Sequence, residues 1–252
     1  MADLHEMVEY LDALLEIEAA SDYPGAYNGL QVDGRQPIER VCVATDACQA
    51  TIDATIESEA QLLVVHHGLF WGEPLPLTGP AYRRIKALVE HDVAVYSAHL
   101  PLDTHPELGN NALLAQALGL TPEGTFGTRG DFVNVGVWAA ADLSLDALSV
   151  LLKEVCGAPP HVIGGGPDHV RRVGIVTGAG SSMLEAARSE GLDTLVTGEG
   201  PHHTYHQALE LGMNLIYAGH YATETLGVRA LGERLAERFG VEWSFLEVPT
   251  GL

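Results

Sequence analysis

The sequence predicts an α/β protein made of two copies of one strand-helix-strand unit, and three observations carry that prediction. First, "RVCVATDA", "CQATIDATIESEA" and "QLLVVHHG" run from Arg40 to Gly68 as a β-rich segment, a helical segment and a second aliphatic strand. Parallel strands need a crossover, and a helix of this length supplies it, so the run reads as the βαβ unit of a parallel sheet. Second, "VCVATDACQATIDATIESEAQLLVVHHG" from Val41 aligns without gaps on "VGIVTGAGSSMLEAARSEGLDTLVTGEG" from Val173, at an offset of 132. Identities fall at Val41/Val173, Thr45/Thr177, Ala47/Ala179, Ala54/Ala186, Leu63/Leu195, Val64/Val196 and Gly68/Gly200. Third, "AVYSAHLPLDT" from Ala94 repeats as "LIYAGHYATET" from Leu215, an offset of 121 that pairs Tyr96 with Tyr217, His99 with His220, Asp103 with Glu224 and Thr104 with Thr225.

The elements follow in order. Leu4, Val8, Leu11, Leu14 and Leu15 lie at helical spacing behind Asp3, so residues 3–19 form an amphipathic helix with Asp3 as N-cap. "SDYPGAYNGLQVDGRQPIE" reads as loop around a short strand at Gly29–Val32. After the first βαβ unit, the Pro/Gly loop "WGEPLPLTGP" accounts for the fall in offset between the two repeats. A further helix and a strand ending at His99 follow, with Pro101 favouring a loop or a first helical turn. "FVNVGVWAA", "SLDALSVLLKEV" and "HVIGGGPDHVRRV" give a strand, a helix and a Gly-rich turn before the second copy. The expected organisation is a single domain, residues 1–252. Its halves, about 1–120 and 171–252, are joined by 121–170 and form a layered αβ structure with a pseudo-twofold relation and a metal site between the layers.

Composition bounds the function. With 34 acidic against 13 basic side chains the net charge is −21, which repels a phosphate backbone and disfavours nucleic-acid binding. Cys42, Cys48 and Cys156 form no Cys-x-x-Cys pair, which argues against a disulfide framework and a thiolate zinc site. The acidic N-terminus lacks a basic leader and no apolar window reaches membrane-spanning length, so a cytoplasmic protein is expected.

Chemistry is expected where the parallel strands end, because loops and helix N-termini converge there. His66 and His67 close one strand, and His99 and His220 follow two others. His220 and Glu224 are one helical turn apart, and His99 and Asp103 have the same spacing. Core packing alone does not explain position-matched His-x-x-x-carboxylate pairs. Imidazoles and carboxylates brought to one cleft suit divalent zinc, iron, manganese, cobalt or nickel, and two ions against two carboxylates leave a local positive charge for a small anionic or nucleotide substrate. His99, Glu199, His202 and His203 are candidate near-site or substrate-facing groups.

Taken together, "YNGLQVDG", "LLVVHHGLFWG", "VYSAHLPLDTHPELGNNALLAQALGL", "TGEGPHH" and "AGHYATETLGVRAL" make the chain resemble, over essentially its full length, the Nif-three-like dinuclear metal-centre proteins. Some of these carry the name GTP cyclohydrolase I type two homologue. The resemblance implies a toroidal homohexamer, a trimer of dimers, with its metal sites facing an internal cavity. It implies that His66 and His67 bind different ions, that Asp103 joins His67 and His220 joins His66, and that Glu224 bridges. Leu100-Pro101 departs from the threonine-containing sequence expected after His99, and the absence of an inserted domain places the chain with the short members. Two classes of function remain open. One is a metal-dependent hydrolase acting on a nucleotide or purine-like ring, for which no Walker-type phosphate loop is present. The other is a non-catalytic metal-binding, metal-delivery or scaffold hexamer.

Overall fold

The computed structural model of the protein describes residues 2–72, 76–128 and 134–252. The chain divides into two compact units: Met1–Leu102 with Gly227–Val248, and Asp103–Leu226 with Pro249–Leu252.

The first unit opens with α1 (Leu4–Leu14). The Asp3 carboxylate accepts from the amides of His5 and Glu6 at 2.9 and 3.2 Å, satisfying two of the donors that a helix start leaves over; such a cap contributes about 1 kcal/mol. Leu4, Met7 and Leu11 form its buried face. The helix is shorter than the periodicity to residue 19 predicts, because Glu16 takes a φ of 51° and turns the chain out of the helical path.

Next come β1 (Gly29–Val32), β2 (Arg40–Asp46), α2 (Gln49–Glu57), β3 (Leu62–His67), α3 (Gly79–Glu90), β4 (Ala94–Ser97) and the single turn α4 (Leu100–Asp103). Strands β2, β3 and β4 are parallel, with Val41 opposite Leu62 and Leu62 opposite Ala94. Residues 41–44 and 62–65 have no exposed surface, as expected of strands covered on both faces. Cys42, Ala44, Leu63, Val65 and Val95 pack with Ile52 of α2 and Leu88 of α3. Each large aliphatic side chain so buried stabilises by about 1.5–3 kcal/mol.

The second unit contains α5 (Asn110–Ala117), β5 (Gly124–Phe126), β6 (Gly136–Ser144), α6 (Leu145–Cys156), β7 (His161–Gly164) and β8 (His169–Val176). A 3-10 turn at Gly180–Met183 leads into α7 (Leu184–Ser189), followed by β9 (Thr194–Thr197), α8 (His203–Leu211), β10 (Asn214–Tyr217) and α9 (His220–Thr223). The last helix, α10 (Thr225–Phe239), carries the chain back to the first unit, where β11 (Glu242–Phe245) pairs in parallel with β2.

The sheet orders are β1-β4-β3-β2-β11 and β5-β6-β8-β9-β10-β7. Alternate residues of the second sheet serve its two faces. Ile175, Val196 and Ile216 pack with Leu148 and Leu152 of α6, while Leu195 and Leu215 pack with Ala187 of α7 and Ala208 of α8.

The segment 121–170 does more than join the halves, because β5, β6 and β7 are strands of the second sheet. "HVIGGGPDHVRRV" is accordingly β7, a Gly165-Gly166 turn and the start of β8, with β7 antiparallel to β10. Of "FVNVGVWAA", Phe132 and Val133 lie outside the described residues, and Gly136–Ala140 are in β6.

Strand register sharpens the repeat. Val173 faces Thr194 as Val41 faces Leu62, which keeps the offset of 132. The third strands differ: Leu62 faces Ala94 and Thr194 faces Asn214, one position away from the offset of 121 read at His99 and His220. Gly219, with φ of 98°, is the extra residue between β10 and His220. No helix among the described residues is long and apolar enough to cross a membrane.

Candidate metal centre

In the first unit, His66 and His67 end β3. Neighbouring residues of a regular strand point to opposite faces, yet these rings have centroids only 4.6 Å apart, so the chain turns at its last residue. Buried His66 places Nδ1 2.9 Å from the carbonyl oxygen of Ala98. The Nδ1 of His67 lies 2.9 Å from Oδ1 of Asp46, the last residue of β2 and its register partner. His99 donates its amide to Asn28 Oδ1 and places Nδ1 2.8 Å from Asp22 Oδ1. A carbonyl or carboxylate oxygen only accepts, so each Nδ1 carries a proton and Nε2 is the ring nitrogen available to a ligand. The ligand-capable atoms of His66, His67 and His99 all lie within 4.8 Å of one another. Burial pushes the Asp22 carboxyl up, but hydrogen bonding and attraction from His99, with bonds from Asn28 and the Tyr23 amide, outweigh it and hold the pKa below the usual range.

In the second unit, His220 starts α9 and Glu224 follows that turn. His220 Nδ1 is 2.9 Å from Glu199 Oε1, and its Nε2 is 3.0 Å from Glu224 Oε2. The hydrogen bond to Glu224 raises the His220 pKa most, burial opposes it, and the charge of Glu224 and the contact with Glu199 add to the rise, to about 9. The ring is thus held as a cation between two carboxylates, and a metal ion binding Nε2 would have to displace that proton. Glu224 reaches its place because residue 178 is glycine: with φ of 63°, it has backbone where any Cβ would collide with Glu224 Oε1. Buried Asp103 is fixed through Oδ1, which accepts from Asn110 Nδ2 at 2.8 Å and from the Thr177 hydroxyl at 3.2 Å. Asn111 Oδ1 in turn accepts the Thr177 amide at 2.8 Å.

The donor set therefore fits a divalent ion on chemical grounds: imidazole nitrogens and buried carboxylates, with the histidines and Asp103 oriented by outer hydrogen bonds as metal ligands commonly are. Among the described residues the three cysteines are free, burial lifts the Cys156 thiol to about 11, and the His/Asp/Glu groups that could hold an ion include none of them. Of the near-site candidates, His99 joins His66 and His67, and Glu199 bonds His220. His202 and His203 are exposed at the start of α8, where the His202 ring meets that of His206. Sequence reasoning missed Asp22, Asp46, Asn110, Asn111, Thr177 and Gly178. Asp46 was findable, since its strand ends in register with the one that ends in His67. Gly178 was not, because a collision between residues 46 positions apart leaves no local pattern.

Fold and site define a two-unit α/β protein whose parallel-strand ends carry histidine and carboxylate groups suited to divalent metal. Residues 2–251 match the family Duf34/NIF3 (NGG1p interacting factor 3), and the chain belongs to it, as its motifs led us to expect. It is 44% identical over 248 residues to a Deinococcus radiodurans protein named GTP cyclohydrolase 1 type 2 homolog, covering 98% of this chain and 94% of the relative. A Halobacterium salinarum protein of the same name is 47% identical over 238 residues, covering 92% and 94%. Among solved structures, protein ybgI superposes with a TM-score of 0.92 at 36% identity, covering 98% of this chain and 99% of the other. A Thermus thermophilus protein gives 0.89 at 42% identity, covering 99% and 100%.

Proposed function

We propose that the protein is a metal-dependent hydrolase holding two divalent ions per chain, acting on a nucleotide or purine-like ring and working as a toroidal homohexamer. The observation that carries the reading is the common anchoring of four histidine rings through Nδ1. His66, His67, His99 and His220 each tie Nδ1 to a fixed oxygen and so direct Nε2 to chemistry rather than to packing. The names of the curated relatives support the substrate class, since they carry GTP cyclohydrolase as a word.

His66, His67, Asp103, His220 and Glu224 would hold the ions. The family resemblance implies that Asp103 joins His67 on one ion and His220 joins His66 on the other, with Glu224 shared. A bound divalent ion supplies Lewis acidity and brings the pKa of water towards neutrality. The chain's own groups supply the rest. Ala98, Asp46 and Glu199 hold the ligating rings in one tautomer, and Asn110 and Thr177 hold the Asp103 carboxylate. His99, tied to Asp22 and outside the ligand set, supplies the proton acceptor at Nε2.

Elemental analysis after metal loading tests the centre, with about two ions per chain expected from the shared-carboxylate arrangement. Turnover of a nucleotide and nucleoside panel by the loaded protein, beside Glu224→Gln, tests the activity. Two ions without turnover of any member would leave the metal-delivery or scaffold reading. A stable monomer in light scattering would remove the hexamer.

A further inference from the structure

The histidine triad of the first unit lies beside aromatic rings that the chemistry above does not use. Trp71 sets its edge against His99, with ring centroids 4.8 Å apart at 80°, and lies 5.9 Å from His67. Tyr23 meets His99 at 5.7 Å and is nevertheless 49% exposed. Exposed Tyr27 and Phe70 come from the same two loops, which the Tyr27 amide joins by donating to the Phe70 carbonyl at 3.3 Å.

These loops are fixed from beneath. The carboxylate of Asp22, whose side chain is only 5% exposed, accepts from the Tyr23 and Leu100 amides, from Asn28 Nδ2 and from His99 Nδ1. Trp71 Nε1 donates to the Gly68 carbonyl at 3.0 Å. Gly25, with φ of 82°, runs so close to Gly72 that any Cβ there would collide with its backbone. Asp22 thus fixes the backbone that carries Tyr23, and the Gly68 carbonyl fixes the Trp71 ring itself. Rings held open and already ordered can stack a flat partner at little further entropic cost. The groups that hold the loops are carboxylates, amides and imidazoles, without a lysine or arginine, so they match a neutral ring face better than a phosphate.

We propose that Tyr23 and Trp71 form a stacking subsite for a planar nitrogen heterocycle, a nucleobase or its nucleoside, next to the histidine triad. The subsite deepens the hydrolase reading and rests on it for its place in the chemistry.

The test is calorimetric titration of the full chain, before and after zinc loading, with guanosine, and with ribose as the non-planar control. Wild type should bind guanosine and not ribose. Tyr23→Ala and Trp71→Leu should each weaken guanosine about tenfold or more, while Trp71→Phe, which keeps a ring, should stay within about threefold of wild type. Metal content should be unchanged in all three variants, which separates loss of stacking from loss of the centre. No binding of guanosine by wild type, equal affinity in every variant, or equal binding of ribose overturns the subsite. A variant whose light-scattering mass falls would show the rings to be a contact between copies, and that also overturns it. Guanosine binding that follows this pattern without turnover of any panel member leaves the subsite standing and removes the hydrolase reading instead.

Discussion

The two units share a backbone and distribute their chemistry differently over it. In the first, β2 ends in a carboxylate, Asp46, and β3 ends in the ring that it orients, His67. In the second, the position matching Asp46 is Gly178, the position matching His67 is Glu199, and the oriented ring is His220, three residues beyond β10. Both arrangements give a carboxylate-imidazole pair at 2.9 Å. The carboxylate has moved to the strand end that carried the imidazole, the imidazole has moved beyond the next strand, and the pair survives. Duplication thus fixed where side chains can meet, while each copy settled separately which residue type occupies each place. Gly178 shows the constraint: once Glu224 occupies the space beside it, nothing larger than a hydrogen fits.

The comparison breaks most visibly at those matched positions. Gly178→Ala should cost about 2–4 kcal/mol, from the left-handed backbone and the collision with Glu224, and should remove metal from the protein. Asp46→Ala should cost about 1 kcal/mol or less, because its hydrogen bond with His67 is partly solvated. Denaturant unfolding of the two variants checks this, and equal losses would show that the space at Gly178 is not needed.

Next in size is the contrast between carboxylates. Glu224→Gln should lose both ions and Asp103→Asn only one, because a shared ligand also offsets repulsion between cations about 3–4 Å apart. Metal stoichiometry decides it, and one ion lost in each variant would make Glu224 a terminal ligand. Smaller again is the effect of the orienting groups. Asp46→Ala and Glu199→Ala should each lower metal affinity about 10- to 100-fold; a variant that binds as wild type does would mean that its histidine is held by something else. His202→Ala and His203→Ala, both exposed, should change stability by no more than about 0.5 kcal/mol and leave metal content alone.

How far the sequence showed this depends on the range of each interaction. The βαβ units were legible because aliphatic runs and helical periods are local, and Asp3 could be named as a cap from its neighbours alone. His66, His67, His220 and Glu224 were legible as ligand candidates because the repeat brought strand ends into correspondence. Register was less so: the single residue Gly219 moves His220 one place further from its strand than His99, and an ungapped alignment of short motifs hides such an insertion. β7 was read as part of a turn because its four residues run straight into Gly165-Gly166 and so short a run carries little strand signal, and its pairing with β10 is decided by a partner about fifty residues away. The groups that orient the ligands were the least legible, since Asp22 meets His99 across 77 positions and Thr177 meets Asp103 across 74.

The return of the chain to the first unit bears on the order in which the protein can be completed during synthesis. Residues 103–226 emerge as one uninterrupted stretch and carry the second sheet, whereas the first sheet waits for β11, encoded at the far end. Until Glu242–Phe245 is made, β2 has an unpaired edge next to its buried aliphatic run, the kind of edge that captures other strands. A nascent chain halted after Phe239 should therefore be cleaved by protease in its first hundred residues while 103–226 resists. Equal resistance in the two regions would show that β11 closes a sheet already stable without it.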